Sequence, residues 1–292
     1  MGTRDIFTDA LRTLEKYSEQ KIKFSEITVE WLRNYEKYLV EERKFKTATV
    51  SIRMKSIRTV MNEARKNGYV KENLFGVGKY RIPFSIDSKE ALSREDAKRI
   101  GEYVDKNPRT AKTTERYRDL WLFSYYCNGI NFVDMLQLKY SNIIKVDDCY
   151  TIQFYRSKTK TTAHNQKPVI AVILPQMQAI IEKWGNPDYS KDSYIFNYLT
   201  GTETPEQKNN ICDGVKNRTN TQMKKIAKEL GIKQNVTCYV ARHTYSTVMN
   251  NSGAPLSHLS ENLGHSSIAT TQTYITTLNM SARNGYAKNL IL

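Results

Sequence analysis

The chain has 292 residues, with 45 Lys and Arg against 30 Asp and Glu, a net charge of +15 and 39% hydrophobic residues. That length suggests about two domains, and the hydrophobic content, spread along the chain, argues against wholesale disorder. No apolar run approaches the ~20 residues of a membrane span, the charged N-terminus MGTRDIFTDALRTLEKYSEQ lacks a signal-peptide core, and the positive excess favours a polyanionic partner through release of phosphate counterions, solubility alone being the bland alternative.

Residues 1–21 read as a polar helix, with Ile6, Phe7, Ala10, Leu11 and Leu14 recurring at three and four. Thr28 is a predicted N-cap for a helix from Val29 to Glu42, whose apolar stripe is Trp31, Leu32, Tyr35, Tyr38 and Leu39. A further helix is predicted over Thr47 to Asn67, stopped by Gly68. Val50, Met54, Ile57, Val60, Met61 and Ala64 are assigned to its inner face. Its outward side carries Lys46, Thr47, Thr49, Ser51, Arg53, Lys55 and Arg58. Hydroxyls mixed with cations suit phosphate contacts, and an ordinary solvated face is the alternative. Residues 76–90, GVGKYRIPFSIDSKE, have no helical period and read as the interdomain linker.

Ser93-Arg94-Glu95-Asp96 is a capping pattern for a helix to about Val104. Helices over 114–128 and 131–138 follow, the first ended by Gly129. The period then changes: 143–146, 150–155 and 168–173 are β-branched and aromatic runs that predict a small antiparallel sheet. Helices are predicted again over 176–184 and 209–230, with a short extended piece at 194–196 between them. Cys127, Cys149, Cys212 and Cys238 are far apart with no CxxC pair, and read as reduced thiols of a cytoplasmic protein. The four histidines form no metal-ligand pattern, so no cofactor or metal is expected.

The stretch from Tyr239 to Tyr274 carries the chemistry. Arg242 stands in ARHTYST, His265 in LGHSS, and Tyr274 nine residues later in TTQTY. A tyrosine phenol with a usual pKa of about 10 needs help to attack a phosphodiester; an arginine can hold the non-bridging oxygens and a histidine can align the phosphate. In this order the three boxes resemble the active-site boxes of the tyrosine recombinase (phage integrase) family. The run Tyr38-Leu39, Thr49, Arg58, Ala64, Gly68 and Asn73-Leu74-Phe75 is similar to that family's all-helical core-binding domain. The resemblance implies a mainly α protein with a small antiparallel β-sheet: an all-helical SAM-like core-binding domain and an α+β catalytic domain closing as a C-shaped clamp on duplex DNA. The boundaries so drawn are 1–21 for a helix left from an arm-binding domain, 22–82 for the core-binding domain, 83–92 for the linker and 93–292 for the catalytic domain.

The same resemblance makes Tyr274 the nucleophile of a 3′-phosphotyrosine intermediate, Arg242 and His265 the phosphate ligands, and Lys158 in RSKT the general acid, with Lys160 and Arg156 as rivals. Those two cations are also read as DNA contacts. Two positions depart from the pattern. Tyr239 stands where a histidine is usual, three residues before Arg242. Asn131, in Cys127-Asn128-Gly129-Ile130-Asn131, stands where a first arginine is usual, with Asp134 at the acidic position. Arg118, slightly ahead of Arg116, is the expected substitute cation; both read equally well as solvated helix-end arginines. The pattern looks like that of conjugative-transposon integrases. The activity implied is site-specific recombination of a mobile element by a homotetramer on two duplexes, with an accessory DNA-bending protein as a further partner. A type IB topoisomerase, or a DNA-binding protein that has lost catalysis, stands as the alternative.

Overall fold

The computed structural model describes residues 3–18, 21–84, 91–158, 167–265 and 268–272. The chain divides into two compact units, Met1–Ser88 and Lys89–Leu292.

The first unit is built on α1 (Thr3–Tyr17), α2 (Val29–Glu41) and α3 (Thr47–Lys66). Thr28 caps α2 as its sequence predicts, its hydroxyl accepting from the Trp31 N–H at 3.1 Å. Leu32, Tyr35 and Leu39 of α2 meet Val50, Met54 and Met61 of α3 in one core, which Leu74, Phe75 and Tyr80 complete. The Tyr17 ring of α1 lies 5.0 to 5.6 Å from those of Trp31, Tyr35 and Tyr38, so α1 shares this core. The stretch read as linker begins inside the unit: Phe75 and Tyr80 form a β-bridge, and the Tyr80 hydroxyl donates to Glu36 at 2.6 Å. Residues 85–90 of that stretch lie outside the described residues.

The second unit contains α4 (Arg94–Glu102), α5 (Ala111–Tyr126), α6 (Phe132–Met135), β1 (Ile143–Val146), β2 (Cys149–Phe154), β3 (Val169–Val172), α7 (Pro175–Trp184), α8 (Pro205–Glu229), α9 (Cys238–Asn251), α10 (Leu256–Asn262) and α11 (Ile268–Gln272). Helix α5 lies at its centre, packed on α4, α7, α8 and α9. Residues 119–124 are all buried, which is why this segment shows no clean apolar stripe: a helix surrounded on all sides needs none. The sheet runs β1-β2-β3, antiparallel throughout. Ile143, Ile152 and Ala171 stand in register across it, on the face turned to the core.

Among the boundaries that differ from expectation, three have a visible cause. Helix α4 stops at Glu102, and Val104 is 74% exposed, so nothing apolar holds a further turn. Helix α6 has 4 residues, because Leu136 and Leu138 turn into the core as the chain approaches Tyr194. Helix α8 starts at Pro205, where the Thr204 hydroxyl accepts from Gln207 N–H and the Gln207 side chain accepts from Thr204 N–H.

Candidate active site

Helix α9 enters the core with its first turn held from outside. The Asn220 side chain accepts from the Cys238 N–H at 2.7 Å, and the Trp121 indole donates to the Thr237 carbonyl at 2.9 Å. Arg242, one turn in, is 3% exposed. A buried guanidinium is costly unless hydrogen-bonded. Here Nη1 donates to the Gly129 carbonyl at 3.0 Å, and Nη2 donates to the Leu263 carbonyl at 2.5 Å and to His265 Nε2 at 3.1 Å. The Leu263 carbonyl caps α10 and that of Gly129 lies just past α5, where a helix's partial negative charge collects.

Two glycine turns make this approach possible. After α5, Asn128 and Gly129 take φ of 53° and 64° in succession. A Cβ on Gly129 would lie 2.7 Å from the Arg242 Cα, so a side chain there would push α9 away. At the other turn, Gly264 has φ of 59°. Its N–H bonds the Glu261 carbonyl and that of His265 bonds the Ser260 carbonyl, each at 2.9 Å. That is the double bond pattern of a Schellman cap, and it puts the LGH histidine immediately beyond α10. A Cβ on Gly264 would lie 2.5 Å from Arg156 Cδ and 2.8 Å from Val169 Cγ2.

Arg156 follows β2 and reaches the same turn, with Nη1 donating to the Gly264 carbonyl at 2.9 Å. The next residue is fixed from below: Ser157 N–H donates to Asp134 Oδ1 at 2.9 Å, and Asp134 is only 7% exposed. Lys158 comes directly after, exposed to solvent. Lys160 lies outside the described residues, as does Tyr274, which follows the last residue of α11 by two positions. His265 reaches toward α11 as well, with Nδ1 2.9 Å from Thr271 Oγ1, and Thr271 is fully buried.

The structure thus gathers Arg242, His265 and Arg156 at one turn. Tyr239 is 45% exposed on the first turn of α9, with its ring edge-on to His243 at 4.6 Å. Asn131 is the N-cap of α6. The expected substitute cations are engaged elsewhere. Arg118 donates to Asp119 at 2.7 Å and to the Tyr103 carbonyl, and it stands eight positions before Tyr126 on α5, about 12 Å along the helix. Arg116 lies 4.9 Å over the Tyr198 ring and 5.8 Å from that of Trp184. Arg156, read from sequence as a DNA contact, is the described cation that joins Arg242 at this turn. Its presence there depends on a contact between residues 108 apart, which no local pattern signals.

On α3, Lys46, Thr47, Lys55 and Arg58 are exposed and Thr49 is half-buried. Arg53 is not on that face: its side chain is 11% exposed and pairs with Asp9 of α1 at 3.6 Å. Ser51 is buried as well, while Val60, assigned to the core, is 45% exposed. The helix is rotated from the expected face because α1 covers the Arg53 side. Arg58 instead borders a groove of about 720 Å³ with Arg65, Lys66, Asn62, Asn73 and one carboxylate, Glu63; of these, Asn62, Arg65 and Lys66 are not among the DNA contacts expected from the sequence.

Residues 1–82 match the phage integrase SAM-like domain, and residues 90–280 match the phage integrase family. The tyrosine recombinase XerD of Listeria monocytogenes serotype 4b (strain F2365) is 44% identical over 52 residues, 18% of each chain. That of Listeria innocua serovar 6a matches equally, so the match spans about a fifth of these curated relatives' length. Among solved structures, XerH site-specific recombinase bound to palindromic difH substrate superposes with TM-score 0.67 at 14% identity, over 97% of this chain and 78% of that one. The Tn1549 transposon integrase in complex with transposon right end DNA gives 0.66 at 10% identity, over 100% and 95%. At such identities these two establish the shared fold. The family match over residues 90–280, on a mainly helical chain with a small antiparallel sheet, places this protein in the phage integrase family.

Proposed function

We propose that this chain is a site-specific DNA recombinase that cuts and rejoins DNA through a 3′-phosphotyrosine on Tyr274. The observation that carries the reading is the convergence of Arg242, His265 and Arg156 on the Leu263-Gly264-His265 turn, nine residues before Tyr274 in the sequence. The Tyr274 oxygen attacks phosphorus and passes its proton to solvent water, the bond from phosphorus to the 5′ oxygen breaks, and Lys158 gives its proton to the departing oxygen. Reversal with a different 5′ hydroxyl joins new partners, and the phosphotyrosine bond keeps the energy of the one broken. Arg242 and Arg156 neutralise the charge that builds on the non-bridging oxygens. Arg156 thereby supplies the cation that Asn131 lacks. Tyr239, exposed one turn before Arg242, donates a hydrogen bond to phosphate in place of the usual histidine.

The groove bordered by Arg58, Arg65 and Lys66, with Lys46, Thr47, Thr49 and Lys55, holds the duplex backbone. The active species is a homotetramer on two duplexes in the cytoplasm, integrating or excising a mobile element with the help of a DNA-bending protein.

The test uses a nicked duplex of a candidate attachment site, incubated with protein in EDTA and run on a denaturing gel. A covalent protein–DNA band is expected, and it disappears in Tyr274→Phe. Binding to that site without any band would support a binding-only protein instead, the reading that Asn131 favours.

A further inference from the structure

His265 stands between two hydrogen-bond partners whose chemistry leaves it one protonation pattern. Its Nε2 is 3.1 Å from Arg242 Nη2. A guanidinium has hydrogens to give and no lone pair to accept with, so Nε2 is the acceptor and carries no proton. The ring is then neutral and its proton is on Nδ1, where it is donated to Thr271 Oγ1 at 2.9 Å. Thr271 is fully buried in α11.

We propose that Thr271 is a positioning residue: by accepting from the Nδ1–H that Arg242 dictates, it fixes the imidazole ring and so keeps the Nε2 lone pair aimed at Arg242. Three residues from separate helices or turns form one chain, Thr271 to His265 to Arg242, ending at the Leu263 carbonyl. Helix α11 ends at Gln272. Helix α11 is thereby tied to the guanidinium through a single imidazole. A shift of α11 would break or rotate the His265 contact and so loosen Nη2 of Arg242. This consequence for cleavage rests on the reading of Arg242 as a phosphate ligand, which His265, its one N–H given to Thr271, holds in place rather than contacting phosphate itself; the tautomer does not rest on that reading.

The experiment is nitrogen NMR of the full DNA-free chain with labelled histidine, four side chains in all, the His265 signals being assigned by their loss in His265→Asn. The wild type is expected to show Nδ1 protonated and Nε2 bare. Thr271→Val, which keeps the volume and removes the hydroxyl, is expected to leave the Nδ1–H without its acceptor, seen as shifted and broadened His265 ring signals, and to slow cleavage of the nicked substrate about tenfold. Thr271→Ser is expected to restore both. A wild-type His265 protonated at Nε2 overturns the proposal without any variant having to fold. So does a Thr271→Val protein whose His265 ring signals match those of the wild type, or a Thr271→Ser protein that behaves like Thr271→Val. If the spectra follow expectation and no variant or wild type cleaves DNA, the proposed activity fails and the tautomer assignment stands.

Discussion

Replacing Gly129 with Ala tests the geometry that brings Arg242 to its turn. Two costs add. The left-handed conformation, φ 64°, penalises a non-glycine residue by about 1–2 kcal/mol. The new Cβ would also sit 2.7 Å from the Arg242 Cα and 3.1 Å from its Cγ, where carbon atoms normally keep about 3.5–4.0 Å. The turn and α9 must part by about 1 Å, and overpacking of this kind costs about 1–3 kcal/mol. The expected destabilisation is about 2–5 kcal/mol in urea unfolding. A displacement of that size at a catalytic group also lowers rate by about 10²-fold, read as covalent-complex formation on a nicked duplex at low temperature, where the variant stays folded. Gly231→Ala is the matched control: it has φ of 67° after α8, with nothing within 4 Å of the added Cβ. It should lose only the conformational part and cleave at the wild-type rate. Equal behaviour of the two variants in both assays would refute the reasoning.

Arg156→Ala should lower covalent-complex formation by about 10²–10³-fold, the loss seen when one charge-stabilising donor is removed. Arg118→Ala should destabilise the fold, since it leaves Asp119 at 5% exposure without its guanidinium, and should keep cleavage within a few-fold. The reverse ranking in a suicide-substrate assay would reassign the missing cation. Asp105 predicts an acid-sensitive joint: its carboxylate accepts from Lys225, Thr110 and Thr114 at 2.7 Å each and from the Asn107 N–H at 3.0 Å. The hydrogen bond from Lys225, with those from Thr110, Asn107 and Thr114, holds its pKa well below the usual carboxylate range. Because the folded-state value lies below the unfolded one, this group stabilises the fold above about pH 4 and the contribution fades as pH falls. Asp105→Asn should therefore be less stable than wild type at neutral pH, with the gap in urea midpoint closing in acid. A gap that does not change with pH would show that the charge is not the cause.

Sequence by itself determined the local pieces. Thr28 and Ser93 mark their helix starts because an N-cap hydroxyl bonds an amide three residues on. The LGH triplet places His265 because a glycine in the left-handed region closes a Schellman cap whatever lies around it. The β-branched and aromatic runs locate the three strands, since such side chains fit a pleated, half-buried surface. What only the tertiary structure decided is which distant groups meet. Arg156 reaches Gly264, Arg242 reaches Gly129, and Thr271 meets a histidine that only the cap geometry presents to it. Arg53 turns inward because Asp9, on another helix, stands opposite it. A long cation on a helix or strand end has the same local signature whether it faces solvent, phosphate or a carbonyl. Its role is set by the packing that brings, or does not bring, an acceptor within 3 Å or so, a distance on which spacing along the chain has no bearing.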